Sequence, residues 1–323
     1  MILRKTFSLN FFKPVIEFEY QLQQLDKMLT GNLSSSVRQR INELKYDLCQ
    51  LKKDIFKSLT PLQRLNLVRQ SDRPTTLNYV SYIMDEWIEL HGDRAGTDDP
   101  ALIGGIGRLS SRTIVFVGHQ RGKDTKDNLV RNFGMGSPGG YRKALRLMQH
   151  ANRFNFPIFT FIDTPGAWAG IEAEKLGQGE AIAVNLKEMF SFQVPIICTI
   201  IGEGGSGGAL GIGVADRILM FEYAVYTVAT PEACAAILWK DSTKSLVAAE
   251  ALKITSADLK TLGIIDHIIQ EPLGGSQADP YMASCVLKSK LISDLNFLLT
   301  LSSEQRKELR YQKFRKIGTF YES

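Results

Sequence analysis

Apolar residues recur at helical spacing through the first sixty positions. Phe18, Leu22, Leu25 and Leu29 are spaced 4-3-4. After a break at Gly31-Asn32, Val37, Ile41, Leu44, Leu48, Leu51 and Ile55 resume the alternation, with Ser34, Ser35 and Ser36 offering N-caps. The pattern predicts a helical hairpin with a narrow apolar seam, nearer to a coiled coil than to a globular helix. Such a hairpin serves as a packing arm against another subunit, packs on its own domain, or does both. Thr60-Pro61 then opens a short helix with a cap and an N1 proline.

Arg73-Pro74 marks the expected boundary between an arm, residues 1–72, and a larger domain, residues 73–323. Beyond it strand and helix patterns alternate. Strands are predicted at Ile103–Leu109, Thr113–Val117, Pro157–Ile162, Val194–Ile201, Arg217–Phe221, Val225–Val228 and Ile264–Ile269. Helices are predicted at Gly139–Arg153, Gln178–Phe190, Pro231–Trp239 and Met282–Leu299. Alternation of this kind implies an α/β fold whose mostly parallel sheet is covered on both faces.

Composition narrows the class. The 323 residues are 44% hydrophobic and 23% charged, which is ordinary for a soluble globular chain. The net charge of +5 is mild and spread out, so no clustered basic face marks a nucleic-acid binder. Much of the excess falls near the C-terminus, at Arg306, Lys307, Arg310, Lys313, Arg315 and Lys316, and reads as a solvated helix or tail. Cys49, Cys198, Cys234 and Cys285 are far apart and carry no metal spacing, and Cys198 and Cys234 lie in apolar runs as small core residues. A reducing compartment follows. No apolar run approaches the ~18 residues of a membrane span. The basic segment Met1–Lys13 is too short for a transit peptide and is followed at once by Glu17 and Glu19.

The densest chemical signal is Gly202-Glu203-Gly204-Gly205-Ser206-Gly207-Gly208-Ala209-Leu210, a glycine loop between the apolar strand and a short helix. Glycines emptying into a helix start aim several backbone N–H groups at one spot and let a substrate oxygen approach them. That suits stabilisation of a developing oxyanion without a catalytic side chain. Three other readings of the same residues rank lower. A glycine-rich turn can simply permit close packing. Gly204-x-Ser206-x-Gly208 fits a hydrolase nucleophile elbow, but none of His91, His119, His150 and His267 has the local signature of a base. Gly202-x-Gly204-x-x-Gly207 fits a dinucleotide fingerprint, with Glu222 at the offset of a ribose ligand. The stretch before the next strand is short, however, of the roughly dozen residues a crossover needs.

Other loops are candidates by position. Asp163-Thr164-Pro165-Gly166-Ala167-Trp168-Ala169-Gly170 follows the preceding strand, so it would face the same cavity at the carboxyl ends of the sheet. Asp163 there reads as a brace accepting turn N–H groups more readily than as a ligand contact. Gly118-His119-Gln120-Arg121-Gly122-Lys123 lacks one residue of a P-loop, and Asp124 replaces the magnesium-binding hydroxyl. Arg131-Asn132-Phe133-Gly134-Met135-Gly136-Ser137-Pro138-Gly139-Gly140-Tyr141 is a second glycine-dense loop, in which Arg131 is an anion contact or a rim charge. His91-Gly92-Asp93-Arg94 could be a site or a loop held by an Asp–Arg brace. No nucleophile–base pair and no metal spacing stands out. That inventory fits a reaction run by N–H donors on a substrate that brings its own base.

Taken together, Glu89-Leu90-His91-Gly92-Asp93-Arg94, Arg131–Met135, Asp163–Ala167, Gly202–Leu210 and Glu271-Pro272-Leu273-Gly274-Gly275 resemble the carboxyltransferase alpha subunit of multisubunit acetyl-CoA carboxylase. The resemblance runs from about Phe18 into the C-terminal region. Each motif is weak by itself; five in order are specific. Trp168-Ala169 departs from the pattern of many relatives, which puts the local loop shape in question. The resemblance implies a crotonase-like (ClpP/crotonase) spiral of ββα units. It implies carboxyl transfer from carboxybiotin, carried by biotin carboxyl carrier protein, to acetyl-CoA, giving malonyl-CoA for fatty-acid synthesis. It also implies a zinc-bearing beta subunit in an α2β2 assembly, with the active site between the chains and ATP used by a separate biotin carboxylase. Gly207, Gly208 and Ala209 would then supply oxyanion donors, and Arg131, Asn132, Phe133, Gly134, Asp163, Pro165, Gly166, Ala167, Gly204 and Gly205 would line the carboxybiotin pocket. Gly208→Val is expected to block transfer while leaving the assembly intact. A plastid-encoded copy, or a bacterial cytoplasmic one, fits the composition. The rival functions are an acyl-CoA hydratase or isomerase using Glu203, and a serine hydrolase using Ser206.

Overall fold

The computed structural model describes residues 10–28 and 35–318. Helices α1 (Lys13–Met28) and α2 (Ser35–Lys57) form the predicted hairpin. The break at Gly31-Asn32, Leu29 and the Ser34 cap lie outside the described residues, whereas Ser35 and Ser36 fall inside the first turn of α2. The base of the hairpin packs on the rest of the chain. Phe12, Val15 and Ile16 meet Phe56, Leu59, Leu67 and Tyr223, with Phe56 centred 5.2 Å from the Tyr223 ring. Farther along the arm Tyr20 and Tyr46 stay exposed. Helix α3 (Pro61–Val68) starts at the expected cap, where Thr60 and Gln63 form a capping box. Helix α4 (Thr76–Ile83) follows Arg73-Pro74 directly.

The sheet has eight strands among the described residues: β1 (Glu86–Glu89), β2 (Leu102–Leu109), β3 (Arg112–His119), β4 (Ile158–Thr164), β5 (Ile196–Gly205), β6 (Arg217–Phe221), β7 (Val225–Thr227) and β8 (His267–Ile269). Their order is β1-β2-β3-β4-β5-β6-β8, with β7 also on β5. Pairing is parallel from β3 onward, as alternation implies, but β1, β2 and β3 form an antiparallel meander. The β2–β3 connection is a two-residue turn in which Ser110 and Ser111 both take positive φ, 46° and 69°. A turn of that hand matches the twist of a hairpin and leaves no room for a crossover helix.

Between these strands run α5 (Thr125–Val130), α6 (Pro138–Phe154), α7 (Ile171–Lys175), α8 (Gln178–Ser191), α9 (Ser206–Leu210), α10 (Pro231–Trp239), α11 (Ser245–Ala251), α12 (Ser256–Thr261), α13 (Pro280–Leu299) and α14 (Ser303–Arg315). Helix α6 packs with α8 over β2 and β3, while α4 packs with α13. The core between them buries Phe116, Phe159, Phe161 and Ile200 completely, together with Cys198.

Two expectations are corrected. The segment Gly202–Gly205 is not loop but the last stretch of β5, because Gly204 pairs with Thr164 on one side and Glu203–Gly205 pair with Val225–Thr227 on the other. The basic C-terminal segment is a helix, yet not simply a solvated one. Arg310 is fully buried, donating from Nε and Nη2 to Asp216 at 2.9 Å each and to the Met189, Phe192 and Val194 carbonyls. Lys313 pairs with Asp266. Counter-charges distant in sequence draw these cations inward.

Candidate functional site

Three loops that the sequence singled out converge at the carboxyl end of the sheet. Gly205 lies so close to the second loop that a Cβ there would stand 2.0 Å from the Pro165 carbonyl oxygen. A Cβ on Gly208 would stand 2.3 Å from the Gly166 carbonyl carbon and 2.4 Å from the Ala167 nitrogen. Only glycine permits this backbone-on-backbone contact. The third loop joins through the Trp168 N–H, which donates to the Gly136 carbonyl at 3.0 Å, and through Gly134, whose Cβ would meet the Asp163 carbonyl. In that loop Asn132, Phe133 and Gly134 take positive φ in succession, 45°, 53° and 80°. Two non-glycine residues held there store roughly 1–3 kcal/mol each.

At the apex β5 turns into α9 through Ser206, also at positive φ (48°). The first N–H groups of a helix have no partner within it, and none of the described turn hydrogen bonds uses the Gly207 or Gly208 N–H. Unlike its neighbour, Gly207 faces open space: a Cβ there would touch only Ile182, at 3.7 Å. Ser206, Gly207 and Leu210 form one wall of an apolar cavity of about 360 Å³, closed by Tyr226, Val228, Leu252 and Ile264. Of the residues predicted for the pocket or its donors, Gly207 borders this cavity. Gly204, Gly205, Gly208 and Ala209 are buried behind it.

Beneath the turn lies a charge network that sequence reasoning missed. Glu203 is buried and receives Arg69 Nε at 3.0 Å, Arg69 Nη2 at 2.7 Å and Arg121 Nη2 at 2.9 Å. Burial opposes its charge, but the two guanidinium groups prevail and hold the carboxyl below its usual range. Asp163 does brace the site, though not by the turn N–H groups expected. It accepts from the Glu203 N–H at 3.0 Å and lies 3.0 Å from Arg121 Nε, while Thr164 Oγ1 takes the Gly166 N–H. Full burial pushes the Asp163 carboxyl up. Arg73 donates to both Glu271 oxygens at 2.9 Å and to the Ile201 carbonyl, tying the expected arm boundary to β5. The sequence singled out Arg73, Arg121, Asp163, Glu203 and Glu271 separately, at the boundary or within motifs, but not their pairing.

Other candidates take structural roles. Arg131 is held by Asp127 and the Pro100 carbonyl. The loop after His91 is indeed braced by Asp93, but its arginine partner is Arg142; Arg94 donates to the His91 carbonyl instead. Arg121 of the failed P-loop serves the charge network. The chemistry of the rival readings is not assembled. Glu203 is locked by two arginines, and among the described residues no histidine or carboxylate bonds to Ser206. Among the described residues no three metal-binding side chains cluster.

This architecture is an α/β fold of the crotonase-like class. In a Pseudomonas malonate decarboxylase hetero-tetramer solved with coenzyme A, the matching chain superposes with a TM-score of 0.57 at 17% identity, over 72% of this chain and 91% of that one. A transcarboxylase 12S structure with methylmalonyl-coenzyme A bound gives 0.53 at 19% identity, over 64% of this chain and 40% of that one. The chain belongs to the acetyl co-enzyme A carboxylase carboxyltransferase-like family, whose pattern matches residues 8–318. It is 72% identical over 322 residues to the acetyl-coenzyme A carboxylase carboxyl transferase subunit alpha of Antithamnion sp., covering all of both chains. It is 61% identical over 320 residues to the same subunit of Crocosphaera subtropica, covering 99% of this chain and 96% of that one. The chain is thus a transferase subunit, and neither rival function is supported.

Proposed function

We propose that this chain acts as the α subunit in carboxyl transfer from carboxybiotin, borne by biotin carboxyl carrier protein, to acetyl-CoA, giving malonyl-CoA in the first committed step of fatty-acid synthesis. The observation that carries the proposal is the glycine turn: pressed on Pro165–Ala167 from behind and open at Gly207 to an apolar cavity in front. Carboxybiotin supplies the carboxyl group, and its ureido nitrogen supplies a base. The cavity has the size and apolar walls for a bicyclic ring and its alkyl chain, and among the described residues Lys253 is the one charged side chain in its lining. This chain's contribution is then positional. The Gly207 N–H borders the cavity, and together with the Gly208 and Ala209 N–H groups of the same turn it would meet the oxygen on which charge develops, where preorganised donors lower a barrier most. Loops 131–135 and 163–167 support that turn from behind, and none of their residues lines the cavity itself.

A zinc-bearing β subunit in an α2β2 assembly would complete the site and supply most CoA contacts, with biotin carboxylase charging the carrier separately. Residues 1–72 would form the subunit-packing arm, for which exposed Tyr20 and Tyr46 are available, and residues 73–323 the transfer domain. Relatives from Antithamnion sp. and Crocosphaera subtropica support a plastid stroma or a bacterial cytoplasm as the setting.

The test is malonyl-CoA formation from acetyl-CoA and carboxybiotin, by this chain alone and co-expressed with a β subunit. Activity confined to the mixture is expected. An assembled Gly207→Val complex that keeps the wild-type rate would refute the assignment of the turn.

A further inference from the structure

The peptide group joining Gly208 to Ala209 carries one proposed oxyanion donor, the Ala209 N–H, at one end and a carbonyl at the other. That carbonyl is not free. Tyr141, at the start of α6, is fully buried and donates its hydroxyl to the Gly208 oxygen at 3.0 Å. The ring is fixed on several sides. A Cβ on Gly211 would stand 2.5 Å from it and one on Gly136 3.0 Å, so both glycines exist in contact with its faces or edges. Asn185 donates to the Tyr141 and Gly211 carbonyls at 3.2 and 2.9 Å, fastening α6 and the end of α9 to α8. Beside the phenol lies the fully buried imidazole of His119, whose ring centroid is 6.4 Å away.

We infer that Tyr141 is a positioning residue for the transfer reaction: its hydroxyl orients and polarises the Gly208–Ala209 peptide so that the Ala209 N–H is a stronger donor to the substrate oxyanion. The physical basis is cooperativity along a hydrogen-bonded chain, in which a donor to a peptide carbonyl strengthens the N–H of the same peptide. Burial favours the neutral phenol, so Tyr141 remains a donor throughout the working pH range. Elsewhere in this packing a phenylalanine would fill the same volume; the hydroxyl has no partner in the described chain other than Gly208.

The inference rests on the oxyanion role proposed for the turn, and the experiment separates the two. Steady-state kinetics are measured on the co-expressed α–β complex carrying Tyr141→Phe, site-specific 3-fluorotyrosine at position 141, or Gly207→Val. Tyr141→Phe is expected to lower kcat about two- to fourfold, the fraction of a charge-assisted hydrogen bond that cooperativity supplies, with KM for acetyl-CoA within twofold. The more acidic fluorophenol is expected to raise kcat above the wild-type value, a trend that a merely structural hydroxyl would not produce. If Gly207→Val is inactive while both Tyr141 variants turn over at the wild-type rate, the turn is catalytic and the positioning role of Tyr141 is wrong. If Gly207→Val retains full activity, the oxyanion assignment fails and this inference with it. Should Tyr141→Phe not fold, a fluorotyrosine kcat equal to or below that of tyrosine overturns the inference by itself.

Discussion

Arg69 and Glu203 meet as a fork, Nε and Nη2 each donating to a different carboxylate oxygen across 134 residues of sequence. The pair fastens the end of α3 to the last strand before the glycine turn, and Arg121 closes it from the other side. Removing one member of a buried charge pair leaves the others unpaired, which costs about 3–5 kcal/mol. Glu203→Gln is therefore expected to lower unfolding free energy by roughly that amount, read by urea titration of the purified chain. A loss under 1 kcal/mol would show that the network does not hold the turn.

Gly207 and Gly208 are adjacent in sequence but differ in what they tolerate. Gly208→Ala forces a methyl into the Gly166–Ala167 backbone, so both stability and transfer are expected to fail. This corrects the expectation that Gly208→Val spares the assembly. Gly207→Ala meets no backbone and is expected to keep stability within about 1 kcal/mol while slowing kcat, because it adds a methyl at the residue where the turn borders the cavity. Equal melting losses in the two variants would contradict the packing seen here.

His119 sets a pH dependence. Burial, then the Arg121 guanidinium, hold its imidazole down to about 3, whereas an unfolded histidine titrates near 6.5. Below about pH 6.5 the unfolded chain binds a proton that the folded chain refuses, so stability falls as pH drops, by up to about 1.4 kcal/mol per unit, until near pH 3. His119→Asn is expected to flatten this part of the stability profile between pH 6.5 and 4. A variant profile parallel to wild type would show that other groups carry it.

Arg310 anchors α14 far from the cavity. Truncating it to Ala leaves Asp216 buried without its partner and strands three carbonyls, for an expected loss of about 3–5 kcal/mol. Hydrogen exchange over 303–315 reports the detachment of the helix. Protection unchanged there would show that apolar contacts such as Phe314 on Phe190 suffice.

What the sequence determined was the set of local elements and the one region where side chains are absent by design. Period and caps placed the hairpin, α3, α6, α8, α10 and most parallel strands, because amphipathic spacing and capping are properties of neighbouring residues. Glycine density located the turn at residues 204–208, since nothing else lets two backbones touch. Tertiary structure decided the rest. Whether Gly202–Gly205 was loop or strand depended on edges supplied by β4 and β7, and whether Arg310 was solvated depended on Asp216. The arginines on Glu203, Asp163 and Glu271, and the phenol beneath Gly208, come from elements far apart in the chain. An ion pair or a buried hydrogen bond needs two partners in space, and local spacing carries the identity of only one of them.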